Sequence, residues 1–160
     1  MDSALRSAIP DDAERLTVLA RDAKAHWGYP NAWLDVWRDA LTITPDYIHA
    51  HTVLVASLES EPELVLGMCA LEDHGDHWQL AHLWVDPRAH GLGMGRALVR
   101  RALAIAGRRR PGSVVRVESD PNAAGFYRKL GARNVGSVPA PMDGDPARTL
   151  PIFALDTSPS

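Results

Sequence analysis

The sequence predicts an α/β (α+β) fold, one mixed sheet of about seven strands with about four helices on its faces. Three observations point to it. Short apolar, β-rich runs recur at residues 4–9, 52–58, 64–71, 77–85, 114–118, 133–138 and 150–155. Between them, apolar residues fall at helical spacing. The order is a strand, two helices, three strands, a helix, a strand, a helix and two strands, which calls for helices packed on a sheet. A chain of 160 residues suits one domain with a full core. Residues 1–155 are expected to form that domain and 156–160 a disordered tail.

Each element has its own reason. The first strand is stopped by Pro10-Asp11-Asp12, and Asp11 or Asp12 can cap a helix running to about His26. Leu16, Leu19, Ala20 and Ala23 mark its apolar face. Gly28-Tyr29-Pro30 breaks it, and a second helix is expected over 31–41, with Trp33 and Trp37 one turn apart. Thr44-Pro45-Asp46 reads as a turn. Strands 52–58 and 64–71 form a hairpin about the polar turn 59–63. Residues 73–76 turn the chain into strand 77–85. Helix 93–106 puts Met94, Leu98, Ala102 and Ile105 on one face and Arg96, Arg100 and Arg108 off it. Strand 114–118 is β-branched and central. Helix 123–130 is closed by Gly131. The last two strands are separated by a flexible loop over 139–148.

Composition excludes several functions. At 46% hydrophobic and 23% charged residues, this is an ordinary soluble globular chain. The net charge of −3 leaves no basic footprint for nucleic acid. Arg108-Arg109-Arg110 reads as a solvated helix end, where cations complement the dipole. The single Cys69 sits in an apolar run, where a free thiol behaves as a small hydrophobe. No apolar run approaches the ~20 residues that span a bilayer, and the first residues lack a signal-peptide core. A cytoplasmic setting without membrane or nucleic-acid partners is the expectation. Among seven histidines, His49-x-His51 and His74-x-x-His77 lack a third ligand, so no metal is expected.

The most informative stretch is His90-Gly91-Leu92-Gly93-Met94-Gly95-Arg96, between a strand and an amphipathic helix. Glycine tolerates positive φ and leaves room for close approach. A helix N-terminus offers unpaired N–H groups and partial positive charge, which suit a phosphate. A loop that needs glycine only to turn is the plainer alternative. Two familiar patterns fail. The dinucleotide fingerprint wants Gly or Ala where Arg96 or Leu98 stands, and the P-loop wants a Gly-Lys-Ser/Thr end.

The stretch resembles the pyrophosphate loop of the GNAT superfamily of N-acetyltransferases, Gln/Arg-x-x-Gly-x-Gly/Ala after a hydrophobic–Val–x–Pro strand end. Here Leu83-Trp84-Val85-Asp86-Pro87 precedes Gly91, Gly93 and Gly95, and His90 stands where the family has Gln or Arg. The segment Asp120-Pro121-Asn122-Ala123-Ala124-Gly125-Phe126-Tyr127-Arg128-Lys129-Leu130-Gly131-Ala132 resembles the family's last shared helix. Arg148-Thr149-Leu150-Pro151 and His26-Trp27-Gly28-Tyr29-Pro30 resemble one branch of it. The resemblance covers about residues 9–155 and implies a mostly antiparallel sheet.

It also implies a chemistry, acetyl transfer from acetyl-CoA to a primary amine. The backbone of Leu83, Trp84 and Val85 would bind the pantetheine, and amides from Gly91 through Leu92, Gly93, Met94 and Gly95 to Arg96 the pyrophosphate, with His90, Asn122 and Phe126 as further contacts. Tyr127 takes the general-acid position; a phenol of pKa ~10 can protonate a thiolate of pKa ~8.5. Its plainer alternative is a buried aromatic, and that of Asn122 a helix N-cap. Many relatives carry a Glu early in the strand before the loop. Here Gln79 and Ala81 stand there, which leaves His82 or Glu118 as the base. His26, Trp27, Tyr29 and Trp33 are either an aromatic core stripe or the wall of an acceptor pocket. The expected acceptor is a small-molecule amine. A peptide or protein amine, or a non-catalytic acyl-CoA-binding module, are the alternatives. Family members often dimerise, so a second copy of the chain is a candidate partner.

Overall fold

A computed structural model describes residues 2–158. Seven strands form one sheet: β1 (Ser3–Ser7), β2 (Thr52–Leu58), β3 (Gly67–Asp73), β4 (Trp78–Val85), β5 (Val114–Glu118), β6 (Arg133–Pro139) and β7 (Thr149–Asp156), in the order β1-β2-β3-β4-β5-β7-β6. The β1–β2, β2–β3, β5–β7 and β6–β7 pairs are antiparallel. β4 and β5 run parallel, through the rungs Trp78↔Val115 and Gln79↔Arg116. Five α-helices accompany them: α1 (Ala13–Ala25), α2 (Asn31–Val36), α3 (Pro45–Ala50), α4 (Met94–Arg109) and α5 (Ala124–Lys129).

The chain divides into two compact units. The first runs through Leu71 and resumes over His82–Arg100; the second takes Glu72–Ala81 and the described residues from Arg101 onward. In the first, α1 lays Leu16 and Leu19 against Ile43, Ile48 of α3, Val53 and Val55 of β2, and Met68 and Ala70 of β3, with Tyr47 and Trp84 packed on this cluster. Thr17 is buried there too, and its hydroxyl bonds the carbonyls of Ala13 (2.9 Å) and Ile43 (3.1 Å). In the second unit, Phe153 of β7 is fully buried and stacks on Tyr127. Arg110, just past the end of α4, bonds Asp73 at 2.7 Å and covers the ring of Trp78.

Several expectations change. The Asp12 carboxylate does not cap α1; it accepts the Ile9 N–H at 2.8 Å and a two-pronged contact from Arg6, which holds its carboxyl below the usual range. α2 stops at Val36 rather than 41, and residues 37–41 follow as turns, with the Leu41 N–H on Trp37 O at 2.9 Å. Thr44-Pro45-Asp46 opens a fifth helix, because the Thr44 hydroxyl accepts the Tyr47 N–H and Pro45 takes the first helical position. β3 starts at Gly67; before it the Leu64 N–H closes the turn on Glu61 O and the Leu66 N–H reaches Ala56 O of β2. The tail is ordered further than expected. Asp156 ends β7, and Thr157 donates its hydroxyl to Ser113 O at 2.7 Å; residues 159 and 160 lie outside the described residues.

Candidate functional site

In the first unit a strand end, a capped turn and two left-handed glycines build the loop before α4. Asp86 turns the chain after Val85. Its N–H donates to Leu66 O at 2.7 Å, and its carboxylate accepts from the Arg88 N–H and grips the Arg88 guanidinium at 3.0 and 3.1 Å. That pair keeps the Asp86 carboxyl below the ordinary carboxylate range. Gly91 and Gly93 then take φ of 82° and 79°. A Cβ at either would meet nothing within 4 Å. Backbone conformation, not crowding, is what asks for glycine, and the space above the loop is open. The Ala97 N–H bonds Gly93 O at 3.0 Å. The amides of Met94, Gly95 and Arg96 before it have no carbonyl to reach within the helix. No acidic side chain stands in the first turn to compete for them.

His90 leans back from this loop. Its Nε2 lies 3.3 Å from the carbonyl of Val85. A carbonyl only accepts, so Nε2 carries the hydrogen. The ring of His26 meets it edge-on, centroids 5.4 Å apart at 81°. His26 thus stands against the glycine loop, with the ring of Trp27 tilted beside it at 6.3 Å.

His82 and Trp84 share one face of β4. The Trp84 indole N–H donates to His82 Nδ1 at 3.0 Å. Indole has no lone pair to offer in return, so neutral His82 is fixed with its hydrogen on Nε2. Tyr47 of α3 stands edge-on to the His82 ring at 5.7 Å, and His51 packs on Tyr47 at 4.5 Å. Cys69 is fully buried, and burial pushes its thiol up to about 12. That removes it from nucleophilic work.

The aromatic residues after α1 separate. Trp27 is exposed. Tyr29, Trp33 and Trp37 pack mutually with centroids 5.0–5.9 Å apart. They hold Lys24, whose Nζ sits 4.3 Å over Trp37 and 5.0 Å over Tyr29. Lys24 was not legible as part of this group, since only the α1–α2 turn brings its ammonium over the rings.

In the second unit Tyr127 is buried, with Phe126 edge-on at 5.1 Å and Phe153 stacked at 5.9 Å. Gly131, at φ 87°, ends its helix. Asn122 is exposed and is not the cap; the Asp120 side chain accepts the Asn122 N–H at 2.8 Å. Glu118 lies on the exposed side of β5, while Val115 and Val117 face inward. Arg148 is buried, which its position in a polar loop did not announce. It pins that loop by donating to Ala140 O at 3.4 Å. Among the described residues no group of three His, Cys, Asp or Glu side chains is arranged to hold a metal ion, and no helix is long and apolar enough to cross a membrane.

Comparisons with known proteins give this geometry a lineage. The peptidyl-lysine N-acetyltransferase YjaB of Salmonella typhimurium is 30% identical over 114 residues, 63% of this chain and 74% of that protein. A GCN5-related N-acetyltransferase from Rhodopseudomonas palustris shares the fold with a TM-score of 0.77 at 21% identity, over 98% of this chain and 96% of that one. So does the PaiA N-acetyltransferase of Thermoplasma acidophilum, solved in complex with coenzyme A (TM-score 0.72, 19% identity, 98% and 99% covered). The apo form of YjaB from Escherichia coli matches over the whole of both chains (TM-score 0.67, 24% identity). An acetyltransferase (GNAT) domain model matches residues 49–131. That match spans just over half of the sequence, and the chain therefore belongs to the GNAT family, as an acetyl-CoA-dependent N-acetyltransferase.

Proposed function

We propose that the enzyme transfers the acetyl group directly to the primary amine of a small molecule, with Tyr127 as general acid. The observation that carries the coenzyme half is the open loop of left-handed Gly91 and Gly93 leading into the free amides of α4. Gly91, Leu92, Gly93, Met94, Gly95 and Arg96 would hold the pyrophosphate, and the backbone of Leu83, Trp84 and Val85 the pantetheine. Asn122 and Phe126 are further proposed contacts. The amine nitrogen attacks the thioester carbonyl, the C–S bond breaks, and the departing thiolate takes the proton of the Tyr127 hydroxyl. Support for Tyr127 comes from its motif and from the pKa match between phenol and thiol. The amine's proton goes to a base, for which Glu118 is the proposed group; His82, the other candidate, has its Nδ1 lone pair engaged by the Trp84 indole N–H. His26, Trp27, Tyr29 and Trp33 are the proposed acceptor-side residues.

A second reading has its own support. The curated relative YjaB acts on peptidyl lysine, so a lysine side chain in a peptide is the competing acceptor.

The test is thiol release from acetyl-CoA against amino acids, polyamines, aminoglycosides and lysine-containing peptides, with Tyr127→Phe beside the wild type. The substitution keeps the buried ring and removes only the hydroxyl. We expect small-amine turnover that falls about 100-fold or more in Tyr127→Phe, with the KM for acetyl-CoA unchanged. Turnover confined to peptides would establish the second reading. Coenzyme binding without turnover on any amine would identify a non-catalytic module. An unchanged rate in Tyr127→Phe would remove it as the acid.

A further inference from the structure

We infer that Tyr29, Trp33 and Trp37 form an ammonium cage on the acceptor side of the site, occupied by the enzyme's own Lys24. An acceptor with a second charged nitrogen would compete with Lys24 for it. The inference rests on the small-amine reading and narrows it to diamines and polyamines.

The three rings make a corner. Tyr29 and Trp33 stack with their planes 26° apart, and Trp37 stands across both, at 84° and 78°. The Lys24 ammonium sits 4.3 Å from the centre of the Trp37 ring and 5.0 Å from that of Tyr29. Each ring face is the negative side of a quadrupole, so two faces at a right angle draw in one cation. Trp33 touches both of those rings and backs the corner. Gly28, at φ 81°, makes the turn that brings Tyr29 back beside α1. These rings are not core. Each is half-buried, whereas the buried side of α1 is filled by Leu16 and Leu19. Three large rings left partly in water within residues 29–37 are a costly arrangement unless their faces have a use.

A ring face attracts positive charge whether or not that charge is tethered to the chain. An alkylammonium from solution offers the same head group as Lys24. Lys24 reaches the corner on a flexible four-carbon stem, and holding that stem in one conformation costs rotamer entropy. Its ammonium is therefore an occupant that a competitor can displace into water.

The cage also lies near the coenzyme loop. His26, two residues after Lys24 and the C-cap of α1, meets the ring of His90 with centroids 5.4 Å apart. Cage and loop thus meet the same end of α1. One nitrogen of a diamine can stay charged over the rings while the other loses its proton and attacks the thioester. A monoamine has no second charge to place there.

The experiment compares kcat/KM for spermidine and for butylamine in the wild type, Lys24→Met and Trp37→Leu. Methionine keeps an apolar stem against the rings and removes the competing charge. For spermidine, kcat/KM should rise about two- to fivefold in Lys24→Met and fall by a similar factor in Trp37→Leu, the range of an exposed cation–π contact. Butylamine should respond less to both changes. An equal response of the two amines, or a spermidine value that stays level or falls in Lys24→Met, would overturn the cage. A second arm covers a Trp37→Leu chain that folds poorly, and needs no turnover. Tetramethylammonium, which cannot be acetylated, is titrated calorimetrically into the full-length wild type and Lys24→Met. Tighter binding by Lys24→Met is the expected result, and equal binding would overturn the cage. Turnover confined to lysine peptides would instead reject the small-amine reading, and the tetramethylammonium titration would still decide whether the rings form a cation site.

Discussion

His82 shows how one hydrogen bond redistributes roles within a site. A base needs a lone pair, and the one on Nδ1 already receives the Trp84 indole N–H. Taking a proton there would sever that bond and set two N–H donors face to face. His82 is better suited to orienting β4 than to deprotonating an amine. His82→Ala should therefore lower kcat less than about tenfold, against the 100-fold or more expected for a lost general base. The acid limb of its pH–rate profile should stay where the wild type's is. Loss of that limb would restore His82 as the base. At this scale much of the site was legible and some was not. The glycines and Tyr127 announce themselves by type and spacing. The pairing of His26 with His90, 64 positions apart, does not, because no local pattern encodes which distant ring a side chain will meet.

The glycine loop is placed by an element that sequence spacing never implicated. A Cβ on Gly67, the first residue of β3, would stand 2.9 Å from Sδ of Met94 and 3.2 Å from a methyl of Leu98. Both side chains are fully buried in the inner face of α4, so they have nowhere to yield. The missing side chain lets the first turns of α4 lie close on the sheet, and the loop amides go where that helix goes. Gly67→Ala should cost about 1–3 kcal/mol of stability by overpacking, read by urea denaturation. It should also raise the KM for acetyl-CoA more than it lowers kcat. A destabilised variant with unchanged KM would separate the packing from the loop. The strands themselves were readable to within a few residues, because period-two apolar patterning survives folding. α3 was missed although Thr44-Pro45 carries a capping residue and a first-turn proline. The two cues are shared by turns, and six residues give too little periodicity to separate them.

For the molecule as a whole, the choice of cation bears on its chemistry. Of 17 basic side chains, two are lysines, Lys24 and Lys129, and the rest are arginines. Guanidinium stays protonated and offers no nucleophile, so an enzyme that keeps acetyl-CoA bound has few amines of its own to modify. Lys129 is exposed, whereas the Lys24 ammonium is held over Trp37 and Tyr29. Prolonged incubation with acetyl-CoA, followed by peptide mass mapping, should show lysine acetylation at Lys129 ahead of Lys24. The reverse order would mean that the aromatic residues present Lys24 rather than shield it.

The strand order of the second unit has a consequence for how the chain is made. β7 lies between β5 and β6, yet it is the last of the three to be synthesised. β6 leaves the ribosome with no ladder to join, and β5 lacks a neighbour on that side. Both must wait while the intervening loop, with buried Arg148 at its end, is translated. The core residue Phe153 arrives later still, so the stacking that holds Tyr127 forms after its helix has already emerged. Birth order therefore places the proposed acid among the last groups to be fixed in this unit.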